Sequence, residues 1–573
     1  MVRHFIPALV LSCGLVSAGC TAGAVGGRLE AAAPPPAVTP SAPPVLRPSV
    51  SAPPKETLVL SGSGSGSLAL ATSRALYDDA PVVLLAAAED LGAQAVAASV
   101  AVDLGTPLLL APDPARPSAP ARDDPVREEL DRLGTTTVLA FDDEPTQWAA
   151  ELDGDVAVVP TPTDPETLAS VAGAELGPAQ AVPARQLTDA VAALERDQPA
   201  LLELARRAAP AERTTSARAP GTEARLPSLD AAPPLDTVTV LAPPAATAAT
   251  ATARAAGARV LVVPRSDPRA DSAVVEALAE QPAGNVVALG EAFGAPDRLR
   301  HRLDVAATGV ELPGGGQLLF PTRRLVALYG HPATSSLGVL GEQSLPATIR
   351  RARKVTAQYQ PFSAEPVVPA LEIITTVASS EAGSDGDYAN EATVEELRPW
   401  VDEAGAAGVY VVLDLQPGTT DFLTHAKRYE ELLAQPHVGL ALDPEWRLEP
   451  GQRHLEQIGS VSAEEVNSVV TWLADLVQER QLPQKLLVLH QFQTSMLADR
   501  DQIDTSRDEL AVLVQMDGYG PPGAKLATWR TVTAASPPGL WFGWKNFYDE
   551  DTTTFTPRQT LAVEPSPWFV SYQ

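Results

Sequence analysis

Residues 408–446 open with Gly408-Val409-Tyr410-Val411-Val412-Leu413-Asp414-Leu415-Gln416 and close with Val438-Gly439-Leu440-Ala441-Leu442-Asp443-Pro444-Glu445-Trp446. Between them, Asp421–Leu433 carries a helical pattern. The two apolar runs do not alternate with polar residues, so both faces of each strand are expected to be buried, as in a parallel sheet covered by helices. Each run stops on a carboxylate, Asp414 or Asp443, so charge gathers at one end of the sheet.

The same unit recurs outward in both directions. Apolar, strand-like runs fall at Leu325–Tyr329, Leu371–Val377, Val409–Leu415, Val438–Leu442, Leu486–Leu489, Ala511–Met516, Leu540–Trp544 and Trp568–Tyr572. Helical patterns separate them at Pro346–Gln358, Val394–Ala407, Asp421–Leu433 and Ala463–Arg480, with shorter ones beyond 497, 523 and 557. Eight strands with helices between them, in about 250 residues, predict a (β/α)8 TIM barrel over residues 321–573. In that fold, chemistry sits at the C-terminal strand ends. Those ends carry Tyr329 and His331, Thr375 and Glu381, Asp414 and Gln416, Asp443 and Glu445, His490 and Gln491, Asp517, then Trp544 and Lys545. Crowded carboxylates repel and resist desolvation, so such a concentration favours a site over a structural barrel.

Asp443-Pro444-Glu445-Trp446 is the sharpest local feature. Residues two apart on a strand face the same way, so Asp443 and Glu445 are expected to point together into the mouth, one raising the pKa of the other into the range of a general acid. Asp-x-Glu at the end of strand four resembles the acid-bearing motif of family 18 chitinases and family 25 lysozymes, barrel enzymes acting on amino-sugar glycans. The resemblance implies Glu445 as general acid/base, Asp443 tuning it, and Asp414 or Asp517 as second carboxylate. His331, Gln416, His490, Trp446, Trp544 and Lys545 complete the candidate substrate contacts; the aromatics serve equally as core. Lys545 suits either a Schiff base or a salt bridge to a mouth carboxylate. His331 and His490 with Asp414 and Asp443 offer metal donors without a recognisable ligand spacing; no metal and no cofactor is assigned.

Upstream the composition changes. Between residues 57 and 320, Trp148 and Tyr77 are the only Trp and Tyr, and Ala, Val, Leu, Pro and Asp dominate. Short strands alternate with Ala-rich helices: Val82–Leu85, a helix Leu91–Asp103, Pro107–Leu110, a helix Val126–Leu133, Thr137–Ala140. The order returns at Thr237–Leu241, Arg259–Pro264 and Asn285–Gly290, with Asp155–Pro160 as a partial unit between. These patterns predict α/β, parallel-sheet three-layer repeat domains over 56–215 and 216–320. Gly105-Thr106-Pro107-Leu108-Leu109-Leu110 and Arg132-Leu133-Gly134-Thr135-Thr136-Thr137-Val138 resemble the cell wall binding repeat 2 family, and Ala256-Gly257-Ala258-Arg259-Val260 with Val287-Ala288-Leu289-Gly290 resemble it in the second unit. Phe141-Asp142 stands where that family has Gly-Gly, and the chain offers two units and a fragment where three are usual. The resemblance implies noncovalent attachment to a wall polymer.

The N-terminus reads as an export signal over residues 1–19. Met1-Val2-Arg3-His4 is a basic head, and Phe5–Val16 is an apolar run too short to span a bilayer. Val16-Ser17-Ala18-Gly19-Cys20 resembles the lipobox of bacterial lipoproteins, which implies lipidation of Cys20; an ordinary secretory signal cut nearby is the alternative. Cys13 and Cys20 are the only cysteines, so removal of the signal would leave no disulfide. Residues 20–55 are Pro/Ala-rich and read as a stalk. With 42 basic and 71 acidic residues the net charge is −29, which excludes nucleic acid and anionic lipid as bulk-charge partners. The combined expectation is an extracytoplasmic, lipid-anchored protein facing the cell wall and its peptidoglycan, with a membrane contact only through the anchor. Its barrel hydrolyses or binds an envelope glycan; a non-catalytic wall-binding scaffold and a metal-dependent hydrolase are the alternatives.

Overall fold

The computed structural model describes residues 45–112, 124–205 and 226–573, apart from 63, 153, 155, 198, 227 and 535. The export signal, Cys20 and residues 21–44 of the stalk lie outside the described residues. Among the described residues no helix is long and apolar enough to cross a membrane.

The eight runs read from the sequence are eight parallel strands closed into a barrel: β1 (Arg324–Gly330), β2 (Val367–Ala378), β3 (Tyr410–Leu415), β4 (Val438–Leu442), β5 (Lys485–Gln491), β6 (Leu510–Met516), β7 (Trp541–Asn546) and β8 (Phe569–Tyr572). Each pairs with the next, and β1 closes the ring by pairing with both β2 and β8. Helices start where the sequence supplies caps. Thr393 and Glu396 form a reciprocal capping box for Val394–Ala406, Asp421 caps Phe422–Arg428, and Ser462 caps Ala463–Glu479.

Alternation along the strands sorts the barrel interior into layers. Leu325, Ala327, Val368, Ala370, Tyr410, Val412, Ala441, Leu486, Val488, Ala511, Leu513 and Phe569 form one apolar cluster with Leu312, Leu319 and Phe320 from the segment preceding β1. Phe320 packs against Trp541 and Trp568, with centroids 5.5 and 5.9 Å away. The N-terminal end of the barrel is therefore plugged with hydrocarbon. Two residues further along each strand the inward positions turn polar, so only the C-terminal end is free to hold a site.

The preceding region holds two four-stranded parallel sheets, flanked by helices. One has the order Leu108–Ala111, Val82–Ala87, Thr137–Phe141, Ala157–Thr161; the other Arg259–Val262, Val238–Ala242, Asn285–Leu289, Thr57–Leu60. Strand Val82–Ala87 divides its side chains between two cores, Val82, Leu84 and Ala86 on one face, Val83 and Leu85 on the other. The second core also receives Val238, Val240, Val287 and Leu289, so the two sheets share it. The units interleave: Thr57–Leu60, read with the first repeat, is the edge strand of the second sheet, paired with Val286–Leu289. Asp508 joins this region to the barrel through Arg302 at 2.6 Å, and Gln484 donates its backbone N–H to Gln317 at 2.9 Å.

Candidate functional site

Continuing the inward alternation of each strand beyond the apolar cluster reaches Tyr329, Glu372, Asp414, Asp443, His490, Gln515, Lys545 and Ser571, one from every strand, and Asp517 lies two residues past Gln515. Strand geometry places these groups together, and their contacts are short. The Tyr329 hydroxyl donates to Asp414 Oδ2 at 2.9 Å. His490 Nδ1 lies 2.8 Å from Asp517 Oδ2 and Nε2 lies 3.1 Å from Glu372 Oε1. Lys545 Nζ lies 3.2 Å from Asp517 Oδ1 and 3.6 Å from the Tyr329 ring centroid. With carboxylates on both ring nitrogens, His490 is an imidazolium.

The electrostatics divide the carboxyls into two kinds. Burial pushes Asp517 upward, but Lys545 and His490 outweigh it and hold the group below the ordinary carboxylate range. Burial raises Asp414 to about 6, with Glu372 adding to the rise. Asp443 is driven well above the carboxylate range by burial, against the pull of His490 and helped by Asp414, Asp517 and Glu445. Glu445 is raised to about 7 by burial and then by Asp517. His490 is held well above its usual value because Asp517 and Asp414 overcome its desolvation. Five carboxyl groups face two cations, Lys545 and His490, so protons must stay on some of the carboxyls.

Local backbone corrects one expectation. Asp443 and Glu445 do not share a strand face by alternation, because β4 ends at Leu442 and Pro444–Trp446 is a 3-10 turn. The turn still brings Glu445 within electrostatic reach of Asp443, Asp517, His490 and Lys545, and leaves it partly exposed at the rim while Asp443 is buried.

The structure brings Glu445, Asp443, Asp414, Asp517, His490 and Lys545 together. It separates four other candidates from them. Trp544 is fully buried on the outward face of β7, stacked on Phe555 at 5.1 Å and against Trp529 at 5.5 Å, with its indole N–H donating to Asn546. It belongs to the core, because alternation that sends Lys545 inward must send Trp544 outward. Gln416 accepts the Ala378 N–H at 2.9 Å and braces β2 against β3. His331 turns back to accept the Ala333 N–H at 3.1 Å, and its charged neighbour is Glu396 rather than the mouth. Trp446 stands at the rim, edge-on to His454 at 5.4 Å. Glu372 was missing from the sequence-derived site. Its signal was a single carboxylate inside the apolar run Ala370-Leu371-Glu372-Ile373-Ile374, and a fully buried Glu needs a charged partner.

Asp443, His490 and Asp517 also place one donor atom each within 4.8 Å of one another. Both His490 nitrogens already face carboxylates, Nδ1 toward Asp517 and Nε2 toward Glu372.

No family model and no curated protein matches the chain. Among solved structures it is similar to Cwp6 from Clostridium difficile, at 14% identity and a TM-score of 0.33, with 63% of each chain covered. The chain thus spans less than two thirds of that protein's length.

Proposed function

We propose that the barrel is a glycoside hydrolase of the cell envelope, with Glu445 as general acid and Asp517 as the carboxylate that stays ionised. The observation that carries this reading is the divergence of two neighbouring carboxyls, Glu445 raised to about 7 and Asp517 lowered. Environments that push two titratable groups apart assign acid and base roles. At pH 7 a carboxyl with an ordinary pKa near 4.3 is protonated in roughly 0.2% of molecules, whereas one near 7 is protonated in about half.

In this mechanism Glu445 gives its proton to the glycosidic oxygen as the bond to the anomeric carbon breaks. The positive charge that develops on the sugar is stabilised by Asp517, which Lys545 and His490 keep ionised. Water adds to the anomeric carbon and its proton returns to the Glu445 carboxylate, which restores the starting state. Asp443 and Asp414 share protons beneath the site and set its field. The substrate class, an amino-sugar glycan of the wall, rests on the Asp-x-Glu motif, the wall-repeat resemblance and the lipoprotein-like N-terminus ending at Cys20. These features support an extracytoplasmic, lipid-anchored protein with a wall polymer as its partner.

The test is incubation of the purified chain and its Glu445→Gln form with peptidoglycan and chitin-type oligosaccharides. Soluble sugar released by the first and not the second is expected. If neither protein releases sugar and both pellet with wall material, the barrel is a recognition module and the hydrolase reading fails.

A further inference from the structure

We propose that Asp387, Glu391 and His425 form a divalent transition-metal site, distinct from the mouth cluster, that pins the loops after β2 and β3. Asp387 precedes the short strand Ala389–Glu391, which folds back antiparallel on the end of β2, and Glu391 ends it. His425 lies on the helix Phe422–Arg428 that follows β3. One donor atom from each of the three lies within 4.8 Å of the others.

The state of His425 points to a ligand. Its side chain is fully buried, and Nε2 lies 3.0 Å from the carbonyl oxygen of Pro417. A carbonyl only accepts, so Nε2 carries the hydrogen and Nδ1 presents a lone pair. That Nδ1 has no hydrogen-bond partner and faces Glu391 Oε1 across 3.8 Å. His425 Nδ1 is thus a buried acceptor with no donor, beside a carboxylate oxygen whose positive partner is the half-exposed Arg428, and such a lone pair is costly to bury unless a positive species meets it. Bonds of about 2.1 Å from each would meet on one ion in that gap. A ring nitrogen donating to a backbone carbonyl is the device that orients a metal-ligating imidazole. His490, hydrogen-bonded through both nitrogens, is the opposite case.

Asp387 Oδ2 lies 3.9 Å from His425 Nε2, on the far side of the ring from Nδ1, and accepts the Thr420 hydroxyl at 3.2 Å, while Oδ1 accepts the Ala389 N–H. Arg428, about half exposed, pairs with Glu391 Oε1 at 2.8 Å and is the cation with which the ion would share that carboxylate. One imidazole and two carboxylates suit Zn²⁺ or Mn²⁺. The site's loops also carry the rim: the Asp387 carbonyl accepts the Thr419 N–H at 2.8 Å, and the Tyr388 carbonyl lies 3.0 Å from His454 Nε2.

The experiment is zinc titration of the chelator-stripped full chain by calorimetry, with melting followed by circular dichroism. Wild type is expected to take up one equivalent of zinc and to melt at higher temperature with it. Glu391→Gln and His425→Gln are expected to bind at least tenfold more weakly and to lose the shift. If buried His425→Gln does not fold, Glu391→Gln decides alone. A wild-type chain that takes up no zinc, uptake unchanged in the variants, or uptake lost instead in Asp443→Asn would each overturn the proposal.

Discussion

Lys545 Nζ meets Asp517 Oδ1 at 3.2 Å, with the two side chains only 3% and 8% exposed. This buried pair fixes the charge pattern of the whole mouth. It keeps one carboxylate ionised just past β6, so neighbouring carboxyls must hold protons, Glu445 among them.

Replacing Lys545 with Met removes that counter-charge and leaves Asp517 buried with His490 alone. Breaking a buried pair from one side costs about 3–5 kcal/mol. Urea unfolding of Lys545→Met should show a loss of that order, with Lys545→Arg losing less. A cost below about 1 kcal/mol would mean that Lys545 does not hold the pattern.

The raised pKa of Glu445, about 7, makes stability depend on pH with a definite sign. Between the unfolded value near 4.3 and about 7, the folded chain keeps a proton that the unfolded chain has released. Stability therefore falls as pH rises through that window. Glu445→Gln resembles the protonated state at every pH. Its melting temperature should track wild type near pH 4.5 and exceed it progressively up to pH 8. A difference independent of pH would place the Glu445 carboxyl at an ordinary pKa.

Gly459 sets the position of the turn that carries Glu445. Its N–H donates to the Glu445 carbonyl at 2.8 Å, and a methyl group there would collide with the carbonyl oxygens of Pro444, Arg447 and Glu445. Gly459→Ala should cost roughly 1–3 kcal/mol and lower kcat on glycan more than it raises KM. Equal activity in the variant would show that the turn tolerates displacement.

The two tryptophans read as candidate sugar platforms should separate cleanly. Trp544→Ala empties a packed core position and should cost about 3–5 kcal/mol, with glycan affinity unchanged below its melting point. Trp446→Ala, at the rim, should cost under about 1 kcal/mol and weaken glycan binding in a pull-down. The reverse result would exchange their roles.

Most barrel strands were legible because they are buried on both faces and so read as apolar runs such as Tyr410-Val411-Val412-Leu413, whereas β7 and β8 read through aromatics, Trp541, Phe542, Trp544, Phe569 and Tyr572. Strand ends exposed Asp414, Asp443, His490 and Asp517 for the same reason, since charge stands out where such a run stops. The remaining misplacements come from phase. Trp544 and Lys545 are adjacent, so they cannot both face inward. Gln416 lies beyond the end of β3, where the strand's alternation no longer sets which way a side chain faces. Pro444 starts a turn that cancels the alternation joining Asp443 to Glu445. Glu372 escaped because it lies within β2 and not at its end, yet register pairs it with Tyr329 on β1. Reading inward positions across strands, rather than endings along them, would have found it.

The edge strand Thr57–Leu60 is made early in synthesis, but its partner arrives about 230 residues later, since Thr57 pairs with Val286. Until then Leu58, Val59 and Leu60 form an apolar strand with an open edge, the kind of segment that recruits wrong partners. The two sheets therefore cannot mature as successive units in order of emergence. A fragment ending near residue 215 would strand this segment, and one starting after residue 61 would open the flank of the second sheet. A strand made near residue 57 waits for a partner made near residue 286.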